Sequence, residues 1–304
     1  MVLSAEEYKM KKIKKKKFGQ LILNLSFVVM CSLVIIPLLL LISVSFSSEA
    51  DISKYGYAFI PRTIDLSAYK FIWENPTSII DAYKVTILFS AVGTVVTVLF
   101  TTMFAYPLSR KGLKGRTAAS FYLYFTMLFN GGLVPTYILN TQYLHLGDTF
   151  WIYIIPSMIS AWYVFMARTF FAGIPEEIFE SMRIDGASEY NIFFKTVLPL
   201  SKPIVATIAL TTFLTKWGDW YTAMLYINNE KLISLQYLLQ RMLQNLELVN
   251  QMAGSASGMS VDVKVPSETV RMAMAVVVAG PALLIFPFFQ KYFVKGLTVG
   301  SVKG

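Results

Sequence analysis

Six apolar runs dominate this 304-residue chain, and each is long enough to cross a lipid bilayer as a helix. They cover residues 20–46, 80–108, 118–139, 150–172, 203–227 and 268–290. A transmembrane helix needs about 20 apolar residues, and a helix satisfies its own backbone hydrogen bonds in lipid. The composition agrees, since 55% of the residues are hydrophobic and only 15% are charged. The sequence therefore predicts an all-α, polytopic membrane protein with about six transmembrane helices.

The distribution of basic residues predicts the orientation of the chain. Seven lysines lie in a tail over residues 1–19, before the first run, so the net charge of +9 indicates a membrane signal and a lipid contact rather than nucleic-acid binding. With the N-terminus inside, 17 Lys and Arg lie on the inner side and eight lie on the outer side, including Lys84 and Arg271 near the outer ends of their runs. This bias places both termini in the cytoplasm, with a transmembrane domain over 20–290 and a C-terminal tail over 291–304.

Two outer segments and one inner segment are long. The outer segments cover 47–80 and 228–267, and the second begins with leucines spaced to form one face of a helix. Its stretch Asn250–Ser260 is rich in Gly, Ser, Gln and Met, which predicts a flexible loop. The inner segment covers 174–202 and is charged and amphipathic.

The inner segment has the signals of two short helices joined at an elbow. Pro175 and the acids after it are typical of a helix start, and Gly186 is typical of a helix end. Ser188 can cap a second helix. Large apolar residues follow at helical spacing, and they predict one continuous apolar stripe: Tyr190, Phe193, Phe194, Val197 and Leu198. We interpret this elbow as a surface that a soluble cytoplasmic partner binds.

The elbow also resembles a known sequence motif. Glu180-Ser181-Met182, then Asp185-Gly186-Ala187, then Val197-Leu198-Pro199-Leu200 is similar to the EAA loop of ABC importer permeases. Ser181 and Met182 depart from that pattern, in which alanines are usual. The resemblance continues in Asn130–Tyr137, in Trp217–Tyr221 and in the C-terminal residues 290–304. Together these stretches resemble the maltose-type second permease of the oligosaccharide branch.

The resemblance implies a type I ABC importer permease in a bacterial cytoplasmic membrane. Such a subunit pairs with a second permease, and two ATPase subunits drive both permeases between inward-open and outward-open states. An extracytoplasmic binding protein delivers the sugar. The residues implied in ATPase coupling are Glu180, Ser181, Met182, Asp185, Gly186, Ala187, Phe193, Leu198 and Pro199. The loop Asn250–Ser260 would reach the binding protein. The chain has no phosphate-binding G-x-x-x-x-G-K-[ST] motif, so ATP and Mg are expected on the partners, and the chain itself is expected to bind no cofactor and to be no enzyme.

Polar residues inside the apolar runs are candidates for a substrate path, because such residues usually face a cavity or a partner helix. The candidates are Asn130, Gly131, Gly132, Lys216, Trp217, Asp219, Trp220 and Tyr221. Aromatic faces and hydrogen-bonding groups suit a sugar. Two alternatives remain open: an internal pair of Lys216 with Asp219 that locks helices, and close helix packing at the glycines. Asn130-Gly131-Gly132 permits an irregular backbone within its run, and the last run is expected to be interrupted at Gly280-Pro281.

Other functions find less support. An importer of another solute, such as an amino acid or phosphate, is the nearest alternative. A membrane-embedded transferase would need a cluster of acids, His or Cys near a membrane face. The chain has one cysteine, Cys31, and one histidine, His145, which predicts neither a disulfide nor a metal site.

Overall fold

The computed structural model describes residues 5–74, 76–255 and 268–301, and the regular structure of these residues is helical apart from one isolated bridge between Ser47 and Ile64. The α-helices are α1 Ala5–Ser45, α2 Glu49–Tyr55, α3 Ser67–Ile72, α4 Pro76–Ser109, α5 Arg116–Leu128, α6 Leu133–Ile138, α7 Ala161–Ala172, α8 Glu176–Ile184, α9 Glu189–Ile192, α10 Leu198–Leu200, α11 Lys202–Trp217, α12 Tyr221–Tyr226, α13 Leu235–Ser255 and α14 Glu268–Ser301. The prediction of an all-α protein is confirmed.

Three helical stretches of the described residues are long and apolar enough to cross a membrane alone: Gly19–Ser45, Pro76–Ser109 and Glu268–Ile285. Two bent pairs raise the number to five. Phe150–Ser157 meets Ala161–Ala172 at 51°, and Glu189–Leu200 meets Lys202–Trp217 at 80°. Two segments that meet at 80° cannot both run along the membrane normal. We therefore assign the first half of the second pair, Glu189–Leu200, to the elbow.

Breaks in the helices follow the sequence at one predicted site and not at another. The run 118–139 divides into α5 and α6, because Gly132 adopts a φ of +88° and its N–H binds the Asn130 side chain at 2.8 Å. The break predicted at Gly280-Pro281 is wrong, since α14 continues through Pro281. A proline in a lipid-embedded helix can be tolerated when its neighbours satisfy the freed backbone groups.

The described residues fall into two compact units. In the first, which contains 5–74 and 268–277, the start of α14 is capped by Glu49. The Glu49 carboxylate accepts hydrogen bonds from the backbone N–H of Glu268 at 3.2 Å and of Thr269 at 3.0 Å. Tyr57 donates its hydroxyl to Glu268 at 3.1 Å, and this bond raises the pKa of Tyr57. The N-terminus of α14 is therefore satisfied by side chains of the segment that follows α1.

In the second unit, which contains 76–255 and 278–301, α4 is the central helix and packs against α7 and α11. Some of its hydroxyl side chains donate to its own backbone, as Thr94 does to Ser90 O at 2.6 Å and Thr102 to Val98 O at 2.7 Å. Such bonds let a polar residue sit in an apolar environment. The phenyl ring of Phe89 stacks on Tyr153 at 4.2 Å between centroids.

Helix α13 confirms the predicted amphipathic helix in the segment 228–267. Leu235, Leu239 and Leu246 are buried along one face, and a bidentate pair joins Arg241 to Glu230 at 2.9 and 3.0 Å. The helix extends to Ser255, so the first half of the predicted loop Asn250–Ser260 is helical instead. Residues 256–260 lie outside the described residues.

Candidate functional site

The elbow has the predicted helix–turn–helix geometry. Helix α8 ends at Ile184, and Gly186 turns the chain with a φ of +76°. The turn is closed by a backbone bond from Ala187 N to Met182 O at 2.9 Å. Ser188 caps α9 by accepting the N–H of Asn191 at 3.4 Å. Most L-residues with a Cβ are strained at this φ, so the turn favours glycine at position 186.

The second arm of the elbow differs from the predicted stripe. Residues 193–197 form a π-helical turn between α9 and α10, which adds a residue to the turn and rotates the apolar face. Ile192, Phe193 and Val197 are buried, whereas Tyr190 is 72% exposed and Phe194 is 46% exposed. The prediction of one continuous stripe from Tyr190 to Leu198 is therefore wrong in register, and Tyr190 points away from the core.

A tyrosine near the end of α4 and the arginine that follows α4 bind acidic side chains on both arms of the elbow. Arg110 donates to Glu176 on α8, and the Tyr106 hydroxyl donates to Glu189 on α9. Arg183 lies between the two acids, at 3.1 Å from Glu189 and 3.7 Å from Glu176. These bonds make the elbow and the last turns of α4 one packed body.

An apolar contact supports the same attachment. The Arg110 guanidinium carbon lies 3.6 Å from the centroid of the Phe179 ring, and Phe179 is fully buried. Phe179 belongs to a core cluster that includes Phe171 of α7 and Ile208 of α11. Sequence reasoning missed Tyr106 and Arg110, because they are about 70 or more positions from the elbow along the chain.

Replacing Arg110 with alanine is expected to loosen α8. The ion pair with the half-exposed Glu176 is screened by water, but the contact with Phe179 is also lost, and the sum is about 1.4 kcal/mol of local stability. Amide hydrogen exchange over residues 176–184 should then rise about tenfold. Lys111→Ala, at an exposed neighbouring position, is the control, and equal exchange in both variants would contradict the attachment.

The outer face of the elbow carries side chains that this chain leaves available. Glu180 is exposed, and within the described part of the chain its carboxylate makes no hydrogen bond or ion pair. Ile184 beside it is 86% exposed. Of the predicted coupling residues, those exposed are Glu180, Ser181, Asp185, Gly186 and Pro199, and those wholly or partly buried are Met182, Ala187, Phe193 and Leu198. The second group shapes the elbow: Met182 Sδ, for example, accepts the Thr196 hydroxyl at 2.8 Å.

A cavity of about 890 Å³ lies in the second unit, between the broken segments. Six of the eight predicted path residues line it: Asn130, Gly132, Lys216, Asp219, Trp220 and Tyr221. Gly131 is not among the lining residues, and neither is Trp217, whose indole N–H instead donates to Val278 O at 3.0 Å. Trp217 is buried and holds α11 against α14.

The cavity wall also contains residues that sequence reasoning missed. They are hydroxyl, amide and aromatic side chains: Thr97, Thr136, Asn140, Tyr153, Ser157, Ser160, Trp162, Tyr163, Thr212, Thr215, Thr222 and Tyr226. Tyr153, Ser157 and Ser160 lie at or just before the bend that precedes α7, and Trp162 and Tyr163 lie in the first turn of α7. The signal that could have found them is a proline, Pro156, that is followed by Ser157 and Ser160 inside an apolar run.

Lys216 and Asp219 do not form the internal pair that was one open alternative. The Lys216 ammonium donates to Tyr153 O at 2.9 Å and to Ser157 Oγ at 2.7 Å. The Asp219 carboxylate accepts the backbone N–H of Thr222 at 3.0 Å. Lys216 is buried and holds the bend at 153–157 against α11, while Asp219 binds the backbone of the first turn of α12 at the cavity wall.

Residues 10–299 match the family described as the binding-protein-dependent transport system inner membrane component. The chain belongs to this family. It is therefore a multi-pass membrane permease subunit, which is a transport component and not an enzyme.

Named relatives are similar to this permease over nearly its whole length. The polygalacturonan/rhamnogalacturonan transport system permease protein YtcP of Bacillus subtilis is 37% identical. The match covers 96% of this chain and 100% of that protein. The arabinooligosaccharides transport system permease protein AraQ of Halalkalibacterium halodurans is 28% identical, over 93% of this chain and 96% of its own.

A solved structure confirms the fold of the permease. It is that of a bacterial ABC transporter involved in the import of the acidic polysaccharide alginate. The TM-score is 0.75 at 28% identity, and the match covers 96% of this chain and 99% of the other. The predicted fold class, an all-helical ABC importer permease, is thus correct.

Proposed function

We propose that this permease imports a sugar or oligosaccharide by alternating access, driven by ATP hydrolysis in partner subunits. The names of its relatives support a carbohydrate cargo, since they are transport system permease proteins for polygalacturonan/rhamnogalacturonan and for arabinooligosaccharides. The cavity supports it independently. A wall of aromatic faces, hydroxyls and amides fits sugar rings, which present C–H faces and hydroxyl groups.

The exposed face of the elbow is the observation that carries the driven mechanism. Its acids at positions 176 and 189 are bound within the chain, whereas Glu180 is available to a partner. A carboxylate beside the exposed Ile184 suits an interface with an apolar centre and a basic partner group. We assign this face to an ATPase subunit. The full assembly then contains two ATPases, a second permease and an extracytoplasmic binding protein.

This assignment requires the elbow to lie in the cytoplasm. The bias of 17 basic residues on one side against eight on the other supports that orientation, with both termini on the same side as the elbow. The domain limits follow: tails over 1–19 and 291–304, a transmembrane domain over 20–290, and a coupling segment over 174–202. The coupling residues and the cavity residues then lie at two different levels of one transport path.

Transport by the complete transporter in proteoliposomes, with its binding protein, tests the cargo. Uptake of pectic or neutral oligosaccharides is expected, and uptake of amino acids or phosphate in their place would overturn the carbohydrate assignment. The alternative cargoes fit the cavity less well, because its wall is predominantly aromatic and hydroxyl-bearing.

Replacing Trp220 with alanine tests the cavity as the path. Trp220 lines the cavity and is 41% exposed, so its ring face is free to stack on a sugar. Uptake should fall about tenfold, which corresponds to 1.4 kcal/mol of lost contact. Trp151→Ala is the matched control, since Trp151 is exposed and does not line the cavity. Equal uptake by the two variants would contradict the path.

A further inference from the structure

The segment after α1 exposes more large apolar surface than a water-facing segment of a soluble protein would. We call residues 55–66 the strap. Five of its large side chains are more than half exposed: Tyr55, Tyr57, Phe59, Ile60 and Ile64, with Ile60 at 80% and Ile64 at 76%. The proposed transport function assigns no role to the strap.

Hydrogen bonds fix the depth of the strap relative to the first membrane-spanning stretch. Ser43, in the last turn of that stretch, donates its hydroxyl to Ala58 O at 2.8 Å. Asp65 N donates to Phe46 O at 2.9 Å, at the end of α1. Because a helix rises 1.5 Å per residue, Ala58 lies within a few ångströms of the level at which the apolar stretch ends. Phe59 and Ile60, which follow Ala58, are therefore at the boundary between hydrocarbon and headgroups.

Basic side chains lie beside the same apolar residues. The Arg62 guanidinium is 4.1 Å from the centroid of the Tyr55 ring, and the Lys54 ammonium is 5.0 Å from it. Neither cation has an acidic partner among the described residues. Tyrosine with lysine and arginine is the composition of proteins at a membrane–water interface, and unpaired cations there attract anionic headgroups.

From this depth and composition we infer that the strap lies on the bilayer and binds phospholipid headgroups at the end of the first span. Phe59, Ile60 and Ile64 enter the upper acyl region, and Lys54 and Arg62 bind lipid phosphates. The contact fixes how deep α1 sits in the membrane. A lipid surface is favoured over a soluble partner because α1 itself places the strap at the level of the bilayer.

Fluorescence quenching in the complete transporter tests the strap. In a Cys31→Ser background, a bimane label at Ile60→Cys is compared with one at Gln244→Cys, an exposed polar position on α13. The liposomes contain phosphatidylglycerol and lipids brominated near the top of the acyl chain. We expect the brominated lipids to quench the Ile60 label about threefold more than the Gln244 label, as for a side chain inserted into the interface. Iodide in the buffer should quench the Gln244 label more than the Ile60 label, whether or not the binding protein is present.

Three results would overturn the inference. Iodide that quenches both labels equally would place the strap in water. A label that neither quencher reaches would place it against a protein subunit. Protection from iodide only after binding protein is added would assign the strap to that protein. None of these readings requires transport, so a failure here is separate from a failure of the proposed function.

The double variant Lys54→Gln with Arg62→Gln tests the headgroup contact. Quenching of the Ile60 label by brominated lipid should be higher in phosphatidylglycerol than in phosphatidylcholine for the parent, and this difference should disappear in the double variant. Full retention of the difference would show that the two cations do not bind the headgroups.

Discussion

Replacing Gly93 with alanine is expected to destabilise the protein strongly for so small a change. A Cβ at position 93 would lie 2.7 Å from both Cδ and Cε of Lys216 and 3.0 Å from its Nζ. The lysine cannot move aside freely, because its ammonium is bound to Tyr153 O and Ser157 Oγ. Overpacking of a core costs about 1–3 kcal/mol, which exceeds the gain of up to about 1 kcal/mol from alanine in a helix. The melting temperature in detergent should fall accordingly.

Testing Gly93→Ala in a protein that lacks the Lys216 side chain separates a clash with Lys216 from a general effect of alanine at position 93. In a Lys216→Ala protein the obstructing side chain is absent, so Gly93→Ala should become neutral or stabilising. Gly280→Ala is a further control, since a Cβ there meets nothing within 4 Å. If Gly93→Ala lowered the melting temperature equally with and without the Lys216 side chain, the packing of α4 on the buried ammonium would be refuted.

Replacing Gly186 with valine is expected to abolish sugar uptake. The φ of +76° costs an L-residue about 1–2 kcal/mol, and a β-branched side chain is more restricted still. The turn would then open, and the exposed face with Glu180 and Ile184 would no longer have the shape that the proposed contact with an ATPase subunit requires. Uptake should fall more than about tenfold, while insertion into the membrane is unaffected.

Asparagine at the same position is the matched control, because it tolerates left-handed backbone better than other non-glycine residues. Gly186→Asn should retain most of the uptake. Equal loss in the asparagine and valine variants would show that the absence of a side chain, and not the backbone angle, is what matters at position 186.

The parts of the site that could be predicted from sequence are those with local causes. Pro175, Gly186 and Ser188 each act on their own turn, and the elbow has the helix–turn–helix geometry that these residues predict. The break at Asn130-Gly131-Gly132 has a similarly local origin, as Asn130 binds Gly132 two residues away.

The parts that could not be predicted depend on contacts between distant segments. The partners of Lys216 are about 60 residues earlier in the chain, whereas sequence spacing alone offered its neighbour Asp219 as one possible partner. The π-helical turn at 193–197 has no composition signal, and neither has the difference between the buried Phe193 and the exposed Tyr190. Helix α14 continues through Pro281, although proline usually ends or kinks a helix. In a membrane, neighbouring groups can satisfy the backbone groups that the proline frees.

Crosslinking from position 180 is the most direct test of the proposal that an ATPase subunit binds the elbow on the cytoplasmic side of the membrane. Glu180→Cys in the Cys31→Ser background would carry a short, membrane-impermeant crosslinker in the assembled transporter. We predict a covalent product between this permease and an ATPase subunit, formed only when the reagent reaches the cytoplasmic face. Reaction of position 180 from the outer face, or products that contain no ATPase subunit, would contradict the account.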